Sequence, residues 1–238
     1  MNRIEFIGKC LLIDKKILVI GDLHLGYEGS MRESGYMIPS GLYKQTIEDL
    51  DLIFERVGEV DKVILLGDVK HEFGKIQRDE WREIGEILNY LRMKAKKVII
   101  VKGNHDVIIN SVIKDLDRVD LIDYCIIGNT AFLHGDKDFS KVNEKGIKMW
   151  VIAHGHPAIT LYEEKGSKKE KYKCFLEGKY KGKKIIIIPS FFGVNEGTDV
   201  LGGFDLGIAW KFNLKKFKIK IIDENSLKVL DFGKLGSF

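Results

Sequence analysis

The stretch ILVIGDLHLG at residues 17–26 decides the fold, because a short apolar run passes directly into aspartate, histidine and glycine. The run is rich in branched side chains, as is typical of a strand that is buried on both faces of a sheet. The same change of composition recurs in VILLGDVKHEF at residues 63–73 and in VIIVKGNHD at residues 98–106. Each stretch therefore predicts a buried strand that ends in a loop of polar side chains.

Two amphipathic segments separate these three predicted strands. Their apolar side chains recur at helical spacing, at Leu50, Ile53, Phe54 and Val57 in the first segment and at Trp81, Ile84, Leu88 and Leu91 in the second. An alternation of strands and helices is typical of a sheet with helices packed on its faces.

From about residue 117 the helical period fades, and the sequence predicts short strands in a mostly antiparallel arrangement. Together the two halves predict a mixed α/β sandwich, with helices outside two sheets, formed by residues 1–238 as a single domain. The predicted strands of the second half are LIDYCII (121–127), TAFLH (130–134), WVIAH (150–154), AITLYEE (158–164), KYKCFLE (171–177), KKIIIIP (183–189), LGIAWKF (206–212), KFKIKII (216–222) and SLKVLDF (226–232).

Composition narrows the class of protein. Of the 238 residues, 45% are hydrophobic and 31% are charged, and the net charge of +4 permits binding to polyanions without requiring it. The N-terminal residues lack the features of a signal peptide, and the longest apolar run, at 185–189, is too short for a membrane helix. The three cysteines, Cys10, Cys125 and Cys174, indicate reduced thiols rather than a disulfide framework. We therefore expect a cytoplasmic protein that does not bind membranes.

Five short segments carry all six histidines of the chain, and each follows a predicted strand. In an open α/β sheet, the loops beyond the carboxyl ends of the strands converge on one crevice, so we expect the segments to meet. They are GDLHLG (21–26), GDVKHEF (67–73), GNHD (103–106), HGD (134–136) and AHGHP (153–157). The side chains that would gather are Asp22, His24, Asp68, His71, Asn104, His105, His134, His154 and His156.

This mixture of carboxylates and imidazoles points to divalent metal ions. Without a cation the groups would repel one another or take up protons, whereas metal ions would satisfy them together. In D-x-H and H-x-H, alternate side chains on a chain leaving a strand point the same way and can share one ion. A glycine before Asp68 and another before Asn104 let the backbone turn sharply. Two ions a few ångströms apart could clamp a phosphate and ionise the water between them, which predicts phosphoryl hydrolysis.

Each motif taken alone also has a structural explanation. A histidine after a strand is usually a polar loop residue, and GNHD could simply begin a helix capped by Asp106. The joint occurrence of all six histidines in the five segments favours the metal site over these explanations.

The ordered series D-x-H, GD-x-x-[DH], GNH[DE], H and H-x-H resembles the calcineurin-like metallophosphoesterase superfamily over residues 17 to about 160. The resemblance implies a four-layer α/β/β/α sandwich with two mixed β-sheets and a site for two divalent metal ions. His105 would lie near the scissile phosphate, stabilising the transition state or protonating the leaving oxygen. By the same resemblance Asp22, His24 and His156 would hold one ion, Asn104, His134 and His154 the other, and Asp68 would bridge both.

His71 separates two branches of this superfamily. It stands three residues after Asp68, where phosphoprotein phosphatases carry an acid that orients the histidine of GNH. Repair exonucleases of the double-strand-break class carry histidine there and share the D-x-HLG opening. We therefore predict that His71 and Asp68 act with His105 in catalysis, and that His71, His105 and Asn104 contact the substrate. Ala153, in place of the usual glycine of the last motif, is a small departure.

DLHLGYE and GDVKHEF are similar to single-domain phosphoesterases of archaea, and through them to a bacterial enzyme encoded beside a repair helicase and a DNA ligase. The similarity implies a manganese-dependent phosphodiesterase or DNA endonuclease, with nucleic acid or a nucleotide phosphodiester as substrate and repair proteins as partners. Iron, cobalt, nickel and zinc also suit nitrogen and oxygen ligands. Tyr27 and Glu28 would lie on a loop that overhangs the metals, although a solvated loop explains them equally well.

The segment 165–184 contains nine lysines, with Tyr172, Phe175 and Tyr180 between them. Lysines near a phosphodiester site would add affinity for nucleic acid, and aromatic rings could stack on unpaired bases. Lysines on the edge of a hairpin also prevent sheets from aggregating, and we favour this second explanation.

The sequence as a whole predicts an enzyme that hydrolyses phosphodiesters, as a nuclease acting on DNA in repair. A phosphodiesterase or phosphatase for small nucleotides would use the same metal site, so that alternative stays open. An inert scaffold of the same fold is a third alternative, and the presence of every ligand and of His105 argues against it.

Overall fold

The apolar runs of the first half form neighbouring strands of one sheet. The computed structural model of the chain describes residues 3–38, 40–162, 169–202, 207–224 and 226–238. Within those residues the first sheet has six strands, side by side in chain order. They are β1 Ile4–Ile7, β2 Cys10–Ile13, β3 Ile17–Ile20, β4 Val60–Leu65, β5 Ala95–Val101 and β6 Val119–Ile122. β1 to β3 run antiparallel and β3 to β6 run parallel.

The second sheet contains nine strands of the described residues, in the order β13-β10-β11-β12-β9-β8-β7, with β14 pairing with both β11 and β15. β9 runs parallel to β8 and to β12, and β10 runs parallel to β13. The strands are β7 Cys125–Ile127, β8 Thr130–Leu133, β9 Met149–Ile152, β10 Pro157–Tyr162, β11 Lys169–Tyr180, β12 Lys183–Ile187, β13 Thr198–Asp199, β14 Lys218–Asp223 and β15 Lys228–Lys234.

The α-helices follow the strands of the first sheet. α2 and α3 bury the apolar faces that the sequence predicts against that sheet, with Leu50, Ile53 and Leu88 in the shared core. Burial of each such side chain stabilises the fold by about 1.5–3 kcal/mol. The helices are α1 Tyr27–Glu33, α2 Leu42–Val57, α3 Arg78–Lys94 and the short α4 Asn110–Ile113.

The two sheets pack face to face. Alternate residues of each strand meet in a core between them, where Val19 and Ile64 of the first sheet join Phe132, Val151 and Phe175 of the second. The other faces point outward, toward the α-helices on one side and toward short 3₁₀ helices on the other. These 3₁₀ helices are Ser140–Asn143, Gly207–Lys211, Leu214–Lys216 and Leu235–Ser237.

The predicted mixed α/β sandwich with two mixed sheets is therefore confirmed, with one refinement. In the described residues, 3₁₀ helices rather than α-helices cover the second sheet. The predicted strand 206–212 is wrong, since Gly207–Lys211 is one of these 3₁₀ helices. Ile208 and Ala209 are adjacent and both buried, which a strand with one covered face does not allow.

Other details also differ from the predictions. The hairpin of β1 and β2 was not predicted, because charged residues interrupt its apolar pattern. Trp81 was assigned to the buried face of α3, but its side chain is 46% exposed. The end of the predicted strand 158–164 lies outside the described residues. No helix in the described part of the chain is long and apolar enough to span a membrane.

Candidate metal centre

The predicted site residues come together at the carboxyl ends of parallel strands from both sheets. Asp22 and His24 follow β3, Asp68 follows β4 and His105 follows β5. The second sheet contributes side chains after β8 and β9. Contacts join the two sets, since Nε2 of His134 lies 3.3 Å from Oδ2 of Asp68.

Five of these residues adopt left-handed backbone conformations. Asp22, His24, Asp68, His154 and His156 have φ values of 40°, 47°, 47°, 66° and 47°. Such conformations cost L-residues free energy, and they cluster at functional sites, where the surrounding structure holds them. Here each sharp turn directs the side chain into the centre.

Two glycines allow the loops to approach closely. A Cβ atom on Gly67 would lie 2.5 Å from Nδ1 of His134, and one on Gly103 would lie 2.2 Å from Oδ1 of Asp68. Gly67 also has a φ of 79°. Gly67 therefore makes the sharp turn that was expected before Asp68. Gly103, before Asn104, has another role, because only a residue without a Cβ atom can lie so close to Asp68.

Asp22, His24 and His156 form one group of potential ligands, whose donor atoms all lie within 4.8 Å of one another. Oδ1 of Asp22 lies 3.5 Å from Nε2 of His156. These two atoms and Nδ1 of His24 are buried and have no hydrogen-bond partner among the described residues. Buried polar atoms are rarely left without a partner, so this group fits a metal ion.

Asp68, His134 and His154 form another such group. Nδ1 of His134 lies 2.7 Å from the carbonyl oxygen of Leu66, which directs its Nε2 inward. That Nε2 lies 3.1 Å from Oδ1 of Asn104 and 3.0 Å from Nδ1 of His154. Four electron-rich groups therefore face one point, namely a carboxylate, an amide oxygen and two imidazole nitrogens. Only a proton or a cation at that point can satisfy these groups.

The charges of the site agree with this interpretation. Burial alone would lower the pKa of His134, but the hydrogen bond and charge of Asp68 and the charge of Asp22 raise it to about 9. Burial would raise the pKa of Asp68, but His134 and the backbone N–H of His105 hold it well below its usual range. Burial lowers the pKa of His24 to about 3. Asp68 is thus charged and His24 is neutral, as metal ligands must be. The carboxylates around His134 hold a proton on its ring, and binding of a metal ion there would release that proton.

His105 and His71 lie beside the ligand groups. The backbone N–H of His105 donates to Oδ1 of Asp68 at 3.0 Å, and its Nδ1 is hydrogen-bonded to the carbonyl oxygen of His71. The donor atoms of His105, His24 and Asp68 also lie within 4.8 Å of one another. The ring of His71 stacks on that of His105, with 6.1 Å between centroids. All nine predicted side chains are therefore at one place.

Carboxylates outside the motifs hold the loops in place. Glu80 is fully buried and accepts the backbone N–H groups of His71 and Glu72 at 2.8 and 3.0 Å. Glu83, also on α3, accepts the N–H of Gly26 at 2.9 Å. Asp106 accepts the N–H groups of Val69 and Gly103, and so ties two site loops together instead of capping a helix.

The sequence analysis missed the loop 189–195, which follows β12. The amide nitrogen of Asn195 lies 3.0 Å from Nδ1 of His156. The backbone N–H of Phe192 donates to the carbonyl oxygen of Asp22 at 3.1 Å. β12 runs parallel to β9, so the rule that located the other loops applies here also. The loop contains no histidine, so it lacks the residue type that marked the other site loops in the sequence.

Tyr27 and Glu28 are not in an overhanging loop, because they begin helix α1. Glu28 is buried and accepts the N–H groups of Gly41 and Leu42 at 2.6 and 2.7 Å, at the start of α2. Its position is therefore structural. The ring of Tyr27 lies 4.9 Å from that of His71, beside the metal centre.

Much of the lysine-rich segment has a structural role. Residues 165–168 lie outside the described part of the chain. Lys183 donates to the carbonyl oxygens of Glu144 and Ile147 at 2.6 and 2.7 Å. Phe175 is fully buried between the sheets, and Tyr180 packs on the outer core of the second sheet. The ring of Phe175 is therefore not available to stack on bases.

Comparisons with known proteins agree with this fold. The fold is shared with nuclease MPE from Pseudomonas putida, at 13% identity and a TM-score of 0.64 over 98% of this chain and 100% of that chain. The phosphoesterase Yfce from E. coli matches at 13% identity and a TM-score of 0.41, over 90% of this chain and 95% of that one. Zinc-bound Vps29 from Entamoeba histolytica matches at 15% identity and a TM-score of 0.41, over 91% of this chain and 98% of that one.

A comparison with curated proteins gives no significant match. The family model of calcineurin-like phosphoesterases matches residues 15–222, which is most of the chain. The chain therefore belongs to the calcineurin-like phosphoesterase family and is a metal-dependent hydrolase of phosphoric esters.

Proposed function

We propose that the protein hydrolyses phosphodiesters of nucleic acid with the help of two divalent metal ions. The observation that carries this proposal is the position of Asp68, which belongs to two overlapping groups of potential ligands. Its Oδ2 lies 3.3 Å from Nε2 of His134 and 3.8 Å from Nε2 of His105. A single carboxylate between two sets of imidazoles is suited to bridging two ions.

The ligand sets follow from these groups. When bound, two ions would neutralise a phosphate and activate a water molecule for attack on phosphorus. The donors are nitrogen and oxygen atoms without a thiolate, which suits manganese, our proposed ion, as well as iron, cobalt, nickel or zinc. Asp22, His24 and His156 would hold one ion, and Asn104, His134 and His154 the other, with Asp68 shared.

His105 and His71 would act on the substrate directly. The bond from Nδ1 of His105 to the carbonyl oxygen of His71 fixes the imidazole and leaves its Nε2 toward the metal centre. When the ring is protonated on both nitrogens, Nε2 can stabilise charge on the phosphate or give its proton to the leaving oxygen. His71 stands where phosphatases would have an acid, and this supports a diester substrate. A nuclease with the same fold is consistent with DNA as that substrate.

We also propose that the enzyme works in the cytoplasm. Cys10, Cys125 and Cys174 are buried free thiols. Free cysteines are typical of proteins in a reducing compartment.

Hydrolysis assays with several metals test the proposal. Protein loaded with manganese should cleave a chromogenic diester and single-stranded DNA. Asp68→Asn should lower both rates by more than about a hundredfold, because both ions lose a ligand and even outer partners of a metal site contribute about 10–100-fold. Asp115→Asn, which alters an exposed carboxylate, is the matched control and should change neither rate.

Other outcomes would replace the proposal. Cleavage of small nucleotide diesters with intact plasmid and single-stranded DNA would identify a small-nucleotide phosphodiesterase. Hydrolysis of monoesters alone would identify a phosphatase, and inactivity with every metal would favour a scaffold. Full activity of Asp68→Asn would refute the metal centre itself.

A further inference from the structure

A cavity of about 340 Å³ opens directly beside the metal centre. Its floor is formed by the imidazoles of His24, His71 and His156, which are residues of the proposed site. A group attached to a phosphate at that site would have room to enter it. The cavity therefore lies where part of the substrate must be.

One wall of the cavity is aromatic and apolar, and it consists of Tyr27, Phe192 and Val194. The rings of Tyr27 and Phe192 meet edge to face, with 4.9 Å between their centroids. Tyr27 is also 4.9 Å from His71, and Phe192 is 5.7 Å from His24, so the wall continues into the floor. Val194 is 44% exposed at the rim.

The backbone around Phe192 is held from two sides. Its N–H donates to the carbonyl oxygen of Asp22, and its own carbonyl accepts from Nζ of Lys173. Lys173 is buried, and its Nζ also donates to the carbonyl oxygen of Ser190 at 3.0 Å. The wall is thus fixed before a ligand arrives, which lowers the entropic cost of binding.

The lining indicates which chemical group the cavity accepts. Among the described residues it contains no lysine, arginine, aspartate or glutamate side chain. A second phosphate, as in a nucleoside diphosphate or triphosphate, would therefore find no cation in the cavity. A neutral and flat group would instead meet the half-buried ring of Tyr27 and the small exposed part of Phe192, which is 7% exposed, and a nucleobase has this character.

Apart from the hydroxyl of Tyr27 and the imidazoles of the proposed site, the described lining offers no free side-chain group that could read the edge of a base. Its one amide among the described residues is that of Asn195, with its nitrogen against His156. The oxygen of the same amide accepts the N–H of Gly197 at 2.8 Å. A cavity that binds a base by stacking, without hydrogen bonds to the edge of the base, accepts any base. Binding would therefore not depend on the nucleotide sequence.

We propose that this cavity binds, by stacking, the nucleobase next to the scissile phosphate, and that the substrate class is an unpaired nucleic-acid strand. The inference rests on the proposed diesterase function and names its substrate. In a duplex each base is stacked and paired, so it reaches a pocket beside its own phosphate only after it is flipped out of the helix. An unpaired strand has no such cost.

Two matched diesters test the cavity. Thymidine 5′-(p-nitrophenyl phosphate) and methyl p-nitrophenyl phosphate share a leaving group and differ in the nucleoside. Stacking of one base on an aromatic side chain is worth about tenfold in affinity, so kcat/KM should be about tenfold higher for the thymidine ester. Tyr27→Leu should reduce the ratio of the two values severalfold, and Tyr27→Phe should retain it.

Phe192→Leu should act like Tyr27→Leu, and its thermal unfolding shows whether the variant is folded. Phe238→Leu replaces an exposed aromatic residue outside the lining and should keep the ratio of the wild type. A single-stranded oligonucleotide should be cleaved faster than the same strand in a duplex.

Saturation-transfer NMR gives a readout that does not depend on turnover. With zinc-loaded protein, thymidine 5′-monophosphate should receive more saturation at its base protons than at its ribose protons, and Tyr27→Leu should remove the difference. Hydrolysis of both esters with equal efficiency, or saturation centred on the ribose, would overturn the cavity assignment alone. If neither ester is hydrolysed, the proposed function fails first.

Discussion

Asn195 decides how His156 faces the metal centre. Its amide nitrogen lies 3.0 Å from Nδ1 of the imidazole, and Nε2 of the same ring lies 3.5 Å from Oδ1 of Asp22. When Nε2 binds an ion, Nδ1 carries the proton of the ring, and the amide accepts it by turning its oxygen toward Nδ1. Partners that orient a ligating histidine typically contribute about 10–100-fold to metal affinity. We therefore expect Asn195→Ala to weaken metal binding by about that factor, as measured by calorimetry at constant pH.

Two further variants make this test specific. Asn195→Asp should bind metal at least as tightly as the wild type, because its carboxylate can accept a proton from Nδ1. Asn89→Ala, at an exposed position of α3, should bind like the wild type. Equal affinity in Asn195→Ala and the wild type would show that the ring is held by other contacts.

The residues that could be predicted from the sequence share one property, which is a side chain whose chemistry is unusual directly after a buried strand. Histidines directly after strands, such as His24 and His134, are visible without a structure. Glu80 and Asn195 are not, because each acts on a backbone or ring atom that only the folded chain brings near. Glu28 was placed in an overhanging loop for the same reason, since its partners are backbone N–H groups at the start of α2.

The secondary-structure elements likewise divide into those that the sequence predicts and those that it does not. Helices with one apolar face, such as α2, follow from the period of their apolar residues, and strands buried on both faces, such as β3, follow from short runs of branched apolar residues. The 3₁₀ helix Gly207–Lys211 was mistaken for a strand because a short apolar run carries no period. Its start is decided by a distant contact, in which the N–H of Ile208 donates to the carbonyl oxygen of Gly135.

Strand β11 supplies Lys173, whose burial makes the stability of the loop 189–195 depend on pH. Burial, followed by the charge of Lys9, lowers the pKa of Lys173 from 10.5 to about 7. Between pH 7 and 10.5 the unfolded chain holds a proton that the folded chain has lost, so the free energy of unfolding rises with pH. Below pH 7 the cost of the buried charge is fully present. The slope is at most about 1.4 kcal/mol per pH unit.

Urea unfolding of Lys173→Met at pH 7, 8 and 9 tests this sign. The stability of the wild type relative to the variant should increase with pH, since only the wild type gains from deprotonation. Lys179→Met, at an exposed position of the same strand, should differ from the wild type by the same amount at each pH. A pH-independent difference for Lys173→Met would mean that Lys173 titrates as an ordinary lysine.

At the scale of the whole molecule, the metal centre connects the two sheets. Asp22 and Asp68 follow strands of the first sheet, and His154 and His156 follow β9 of the second. Beyond the apolar core between the sheets, ions at this centre would join loops that are far apart in the chain. A ligand that binds only the folded state stabilises it by about 2.7 kcal/mol at a hundred times its Kd.

Thermal unfolding should therefore depend on metal. For a chain of this length, 1 kcal/mol corresponds to about 2–4 °C, so saturating manganese should raise the Tm by roughly 5–10 °C over the protein in a chelator. Asp68→Asn should lose most of this increment, and Asp115→Asn should retain it, since Asp68 belongs to two groups of potential ligands and Asp115 to none. An equal increment in the two variants would place the stabilising ion somewhere other than between the sheets.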